Sequence, residues 1–442
     1  MVPTSPVRVR WFVVVAVTCI GSGCGSGSSA AGTSGGGAPN ENGGNAGGTA
    51  NGGSTSSGGG ATGGALATSG GASSGAPNGG MSIGGASAGG SEATPSAGGT
   101  NDGSGGVVAG GVPGAGGSNG GAGASGDCTT PPEPSPLAGW ASVSGNGVSK
   151  TTGGEGGPTT TVTTLADLKS AVQGTDSHIV QIRGSLDGDV SVGSNKTLVG
   201  LCGAKLQGHL SLDKSVNVVV RNLTIVGKNC TDSPSDCSAG ADAVTVQGGA
   251  HHLWFDHDDV SDGSDGNLDM THAADFITIS WTKFHYSGRR TDPAGASGGH
   301  QFSNLIGSSD SNGSEDSGHL RITFHHSWWA DNVVERMPRA RFGQVHLVDN
   351  LYTATGNDYC IGVGNGVSIL SENNVFIGVA NPIKSYSTDG TGVIHSSGNV
   401  YQSTTGSSAD VGSGAVFTPP YTVTVDPTSG LEAAIRSGAG PQ

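Results

Sequence analysis

The sequence predicts an all-β solenoid, a parallel β-helix, and three observations carry that expectation. Short β-rich runs recur through the C-terminal two thirds: VVVRNLTI, HLWFDHDDV, FITISWTKF, RITFHHSWW, VHLVDNLYT, SILSENNVF and VIHSSGNVY. The residues that turn the last six of them, His257, Trp281, His326, Asp349, Asn373 and Gly398, are spaced by 24, 45, 23, 24 and 25 positions. A period in the low twenties, built from β-branched runs closed by polar or glycine turns, is that of stacked coils. Asparagines recur at the turns as well, at Asn222, Asn350, Asn374 and Asn399. Stacked in register, their amides would satisfy turn backbone groups that would otherwise be buried unpaired.

The step of 45 is one coil plus an excursion, Ser287 to Gly318, rich in Gly, Ser, Asp and Arg. A long irregular insertion in a regular solenoid is where function sits. One amphipathic helix is expected, Leu165 to Gln173 with Thr164 as N-cap, and it would cap the open end of the stack.

The N-terminal part reads differently. Arg8 and Arg10 precede an apolar run, Trp11 to Ile20, too short to span a bilayer. With the small residues before Cys24 this looks like a lipoprotein signal over residues 1–23, although Gly21 stands where that signal has Leu, and ordinary signal cleavage is the competing reading. Residues 24–127 form a Gly/Ser-rich linker that contains no Lys, Arg or aromatic residue. Such a chain cannot offset its ordering entropy and is expected to be disordered, with an r.m.s. span of about 55 Å. The β-helix domain is then 128–442, exported, and secreted or held at the cell surface as an outer-membrane lipoprotein, with membrane contact only through the lipid. Export permits disulfides. Cys230 and Cys237, bracketing TDSPSD, are one expected pair; Cys128 with Cys202 is a second assignment, which leaves Cys360 as a buried free thiol, and connectivity stays open.

The formal net charge is -15, which speaks against a nucleic-acid partner. Against that background Arg336, Arg339 and Arg341 crowd into six residues before the strand VHLVDN. Alternation puts Arg339 and Arg341 on one face. Two readings are open: a solvated turn with surface ion pairs, or a site for an anionic ligand gripped by guanidinium groups. Asp242 begins one strand, and Asp265 and Asp269 follow one coil later. On consecutive coils these carboxylates would converge as oxygen ligands for a hard cation, Ca²⁺ before Mg²⁺; a solvated acidic turn is the alternative. The pairs Asp256-His257 and His325-His326 read as satisfied turn polar groups rather than zinc ligands.

Five motifs in order, TTGGEGG (151–157), SNKT (194–197), VVVRNL, WFDH (254–257) and RMPRAR (336–341), resemble the extracellular pectate lyases of polysaccharide lyase family 1. The resemblance covers Ala138 to the C-terminus. It implies a right-handed parallel β-helix and a Ca²⁺-dependent β-elimination on polygalacturonate. It also implies roles: Arg336 as general base, Arg341 on a substrate carboxylate, and Asp242, Asp265 and Asp269 as calcium ligands. Two departures stand out. Gly240 occupies a position that is acidic in some members, which implies a weaker resting calcium site. The family's substrate-binding lysine is replaced by Arg289 or Arg290, which keeps the charge with different geometry. The chemistry is coherent, because removing the C5 proton beside a carboxylate builds charge that pre-placed cations stabilise. An arginine base, whose ordinary pKa exceeds about 12, needs a strongly cationic setting or alkaline pH. A pectin lyase on methyl-esterified polymer and a non-catalytic glycan-binding β-helix are the alternatives; three aspartates argue against the first and Arg336 against the second. The domain is expected to act as a monomer.

Overall fold

In the computed structural model, residues 128–228, 242–288 and 300–442 are described. The signal segment, the linker, the Cys230–Cys237 pair and both Arg289 and Arg290 lie outside them. The described chain is a right-handed parallel β-helix of three sheets with ten, eight and nine strands. Every strand pair is parallel, and each sheet takes one strand from successive coils.

The ten-stranded sheet runs from Thr159–Val162 to Val393–Ser397. Its register places Trp254, Thr278, Thr323, His346, Leu370 and His395 side by side. Those are the steps of 24, 45, 23, 24 and 25 that the sequence shows. Inside, Leu253, Ile277, Ile322, Val345, Ile369 and Ile394 stack as one buried aliphatic ladder. Under the nine-stranded sheet, Phe284, Trp329, Tyr352, Phe376 and Tyr401 form a file of rings with centroids 5.8, 4.6, 4.2 and 5.0 Å apart. Burial of these apolar columns is what holds coil on coil.

The six turn residues all adopt left-handed backbone: His257, Trp281, His326, Asp349, Asn373 and Gly398 have φ of 55, 48, 53, 54, 51 and 65°. Asn, Asp and His tolerate that region better than most residues, which explains the polar spacing. Trp281 is the exception, and it is clamped between the rings of His257 and His326, at 5.7 and 4.4 Å. Immediately after this row comes the amide ladder. Asn350 Nδ2 donates to Asn374 Oδ1 at 2.9 Å, Asn374 Nδ2 to Asn399 Oδ1 at 3.1 Å, and the Ser327 amide to Asn350 Oδ1 at 2.9 Å. Asn222 is not in this ladder. It sits on the left-handed row with φ 54°, and the ladder position beside it is Leu223, whose amide donates to Asp258.

The N-terminal helix Leu165–Ala171 is capped by Thr164, whose side chain accepts from the Asp167 amide, and it buries Leu168 against the end of the core. A second helix of that kind, Leu431–Gly438, was not expected from the sequence. It rests Leu431 and Ile435 on Leu351 and Val375, outside the nine-stranded sheet. With only two buried apolar residues its pattern is too thin to read. Cys128 and Cys202 form a disulfide, and Cys360 is a buried free thiol. The excursion differs from a pure insertion. Leu305–Ile306 within it supplies a strand to the eight-stranded sheet, and Gly313–Asp316 forms one helical turn. Asp256-His257 is a satisfied polar pair, Asp256 accepting from Ser280 Oγ at 2.7 Å and lying 3.1 Å from His257 Nδ1. His325 and His326 pair through their Nδ1 atoms at 3.2 Å, but His325 Nε2 is buried without a partner among the described residues, so that pair is only partly satisfied.

Candidate active site

The eight-stranded sheet turns Leu268, Met270, Ile306, Ala340, Ile361, Val363 and Ile383 inward. Alternation therefore sends Asp269, Leu305, Arg339, Gly362 and Lys384 outward on neighbouring strands, and the register keeps them in one file. Just before these strands, Gly266 bridges to Phe302 and Phe302 to Glu335. Asp242, Asp265 and Arg336 flank that bridge line. The coil period thus brings residues from four turns of the chain to one strip.

The acidic end is built around Gly266. A Cβ there would lie 2.9 Å from Asp269 Oδ1 and 3.0 Å from Asp242 Oδ1, so the absence of a side chain is what lets both carboxylates face one point. Asp242 Oδ2 accepts from Thr245 Oγ1 at 3.2 Å, but its Oδ1 is buried with no hydrogen-bond partner. Asp269 Oδ1 accepts from the Leu305 amide at 2.8 Å. Burial, then the charges of Asp269 and Asp265, raise the Asp242 carboxyl well above the usual carboxylate range, against the lowering effect of Arg336. Burial pushes Asp269 up to about 7, with Asp265 adding to the rise and Arg336 and the Leu305 amide opposing it. Two buried carboxylates that repel one another, one with an orphaned oxygen, call for a cation. An all-oxygen donor set suits Ca²⁺. Asp265 stands apart, with Oδ1 3.5 Å from His300 Nδ1. Among the described residues no three His, Cys, Asp or Glu side chains are already gathered as a metal site.

Arg336 lies at the other side of the bridge line. Its backbone is left-handed, φ 61°, which costs a residue with a Cβ roughly 1–2 kcal/mol and swings the side chain out of the strand path. The Asn304 amide donates to its carbonyl at 2.6 Å. Its guanidinium stands 4.1 Å above the Phe302 ring, and its buried Nε has no hydrogen-bond partner. Arg339 and Arg341 share the outward face as alternation requires. They pass over Gly362 and Gly364, where a Cβ would come within 3.0 Å of Arg339 Cγ and 2.7 Å of Arg341 Cγ. Beyond that their settings differ. Arg339 covers Tyr386 at 4.2 Å. Arg341 is 7% exposed, and it donates from Nε to Asp310 Oδ1 at 2.6 Å and from Nη1 to the Gly307 carbonyl at 2.8 Å. A bidentate grip on a substrate carboxylate through its Nε edge would have to displace Asp310. The strip ends at Lys384, paired with Asp358 at 2.9 Å and close to the Tyr359 and Tyr386 rings.

The pectate lyase family profile matches residues 127–440. This chain belongs to the pectate lyase family. It is 32% identical to pectate lyase E of Dickeya chrysanthemi over 268 residues, 49% of this chain and 61% of that one. It is 34% identical to pectate lyase A of Aspergillus niger over 291 residues, 63% of this chain and 80% of that one. The chain thus spans less than two thirds of the Dickeya relative. Among solved structures, a pectate lyase bound to a hexasaccharide aligns with TM-score 0.56 and 25% identity, over 69% of this chain and 96% of that one. The thermostable pectate lyase PL 47 aligns with the same TM-score at 22% identity, with the same coverage. Within the family frame, the sequence reading named Asp242, Asp265, Asp269, Arg336 and Arg341, and the fold brings the first four to one strip. It passed over Gly266, Phe302, Asp310 and Tyr386. Extending the coil period from Asp242 would have reached Gly266; the long excursion hides Phe302 and Asp310.

Proposed function

We propose that the domain is a calcium-dependent pectate lyase that cleaves (1→4)-α-D-galacturonan by β-elimination. The observation that carries the reading is Arg336 set beside two buried, mutually repelling aspartates in a chain of this family. Asp242 and Asp269, with Asp265 at the rim, would hold Ca²⁺. The bound cation would neutralise the substrate carboxylate and stabilise the charge that gathers there when C5 loses its proton. In its neutral guanidine form, Arg336 takes that C5 proton on a free nitrogen lone pair and becomes guanidinium. The electron pair of the C5–H bond becomes the C4–C5 double bond, the C4–O4 bond breaks, and O4 leaves with a proton from solvent. The product end is a 4,5-unsaturated galacturonide. Arg341, held by Asp310, meets a substrate carboxylate through its outer nitrogen, with Arg289 and Arg290 from the excursion as further cationic contacts. We also propose export by the 1–23 segment, tethering through Cys24 and the 24–127 linker, and a monomeric β-helix.

The test is the ultraviolet absorbance of unsaturated products from polygalacturonate, with and without chelator. Product that appears with calcium and stops with chelator supports the reading. Asp269→Ala should raise the calcium needed for half-maximal turnover by roughly tenfold or more, since it removes a charged ligand. Undiminished turnover of that variant in chelator would show that the carboxylates hold no working cation.

A further inference from the structure

We infer that Phe302 is a positioning residue for Arg336, holding the guanidinium by its ring face where, among the described residues, its buried Nε has no hydrogen-bond partner. This rests on the lyase reading above. The ring itself is well fixed. The Phe302 backbone is bridged to Gly266 on one coil and to Glu335 on the next, and its carbonyl accepts from Tyr286 Oη at 2.7 Å. Following that bridge, the Ser303 amide donates to the Glu335 carbonyl at 3.0 Å and the Asn304 amide to the Arg336 carbonyl, and before it the Val334 amide donates to the Gln301 carbonyl at 2.8 Å. Phe302 and Arg336 therefore stand on adjacent coils with their backbones locked in register.

The guanidinium carbon lies 4.1 Å from the ring centroid, and the buried Nε is without a partner. The other arginines of the strip show both ways of steering a guanidinium, by polar partners and by a ring face. Arg341 is tied by a carboxylate and a carbonyl, and Arg339 lies against Tyr386. A carboxylate anchor would occupy the N–H groups of Arg336. A ring face uses none of them, so all its nitrogens stay available to the sugar. The same ring also meets His300, whose centroid is 5.0 Å away and whose Nδ1 is 3.5 Å from Asp265 Oδ1. Phe302 is thus the link between the acidic end of the strip and its base. Placement of a reacting group within about 1 Å is worth on the order of 10²-fold in rate.

The experiment compares kcat and KM on polygalacturonate, at saturating calcium, for wild type, Phe302→Leu and Phe302→Tyr. Leu keeps apolar volume and removes the ring; Tyr keeps the ring. The expected result is a kcat lowered about 10- to 100-fold in Phe302→Leu, with KM moved by less than about threefold. Phe302→Tyr should recover kcat to within about threefold of wild type, because the ring face remains. Where Leu at this site unfolds the protein, Phe302→Met replaces it, and the thermal midpoint separates loss of fold from loss of placement. Wild-type kcat in Phe302→Leu, or an equal fall in Phe302→Tyr and Phe302→Leu, or a raised KM at unchanged kcat, overturns the inference while leaving the lyase reading intact. A wild-type protein that yields no unsaturated product overturns the lyase reading and this inference with it.

Discussion

Two turns of the same solenoid use polar residues in opposite ways. At the bend between the ten- and nine-stranded sheets, Asn350, Asn374 and Asn399 hand hydrogen bonds from coil to coil, each amide taken by its neighbour. At the approach to the eight-stranded sheet, Asp242 Oδ1, Arg336 Nε and Arg339 Nε are buried without partners. An unsatisfied buried polar group costs about 1–3 kcal/mol, more when charged. The asparagine ladder is satisfied within itself, although Asp258 Oδ2 and Asp349 Oδ1 in the same bend have no partner among the described residues. The second turn instead gathers an orphaned carboxylate oxygen and two orphaned guanidinium nitrogens along one strip. The contrast separates scaffold from site: neutral amides that pair with one another on one side, charged groups left short of partners on the other.

Three substitutions sharpen the contrast. The largest effect belongs to Arg336→Lys. Removing the base should lower kcat by about 10²- to 10⁴-fold while polygalacturonate affinity changes far less, because Lys keeps the charge. Steady-state kinetics check this, and near-normal kcat would reduce Arg336 to a substrate clamp. Next is Asn374→Ala in the ladder. It takes the acceptor from the Asn350 backbone amide, one of two acceptors from Asn350 Nδ2 and the amide donor from the Leu347 carbonyl. Unfolding should therefore be easier by roughly 1–3 kcal/mol per group orphaned, with kcat unchanged. Chemical denaturation read against turnover tests the split; a loss of kcat at unchanged stability would erase the distinction between the turns.

The smallest expected effect is on pH dependence. Burial first, then the charge of His326 with smaller effects from His346 and His257, lowers His325 to about 3, against the opposite pull of Asp256. The unfolded chain takes up that proton below about pH 6.5, whereas the folded one does so only near 3. Stability from this group is therefore present above pH 6.5 and drains away as pH falls toward 3. His325→Gln should make the loss of thermal midpoint between pH 7 and pH 4 shallower. An unchanged slope would show that His325 contributes nothing to acid sensitivity.

The coils were legible in the sequence because the left-handed bend selects Asn, Asp, His or Gly at a fixed interval, and that selection survives whatever the strands contain. The acidic end was legible for a related reason, since Asp242 and the pair Asp265 and Asp269 lie one period apart. Asn222 misled because the bend and the ladder are adjacent positions, and an asparagine suits either. Phe302 was hidden by the excursion, which breaks the interval between Gly266 and its neighbour on the next coil. The Arg341–Asp310 pair was hidden for the same reason: Asp310 lies in a loop whose position no periodicity announces. Local chemistry spoke for Arg341; its internal partner could be found only in three dimensions.

The adjacent tryptophans Trp328 and Trp329 give the molecule two optical gauges that read different things. Trp329 is wholly buried, sandwiched between Phe284 and Tyr352 in the interior file of rings, so its emission follows the separation of successive coils. Trp328, one residue earlier, faces outward beneath Arg436 of the C-terminal helix, 5.0 Å from its ring, and donates to Thr353 Oγ1. Its emission follows the docking of that helix. Replacing either one with Phe would silence one gauge, and the difference would show whether the helix lifts before the stack loosens.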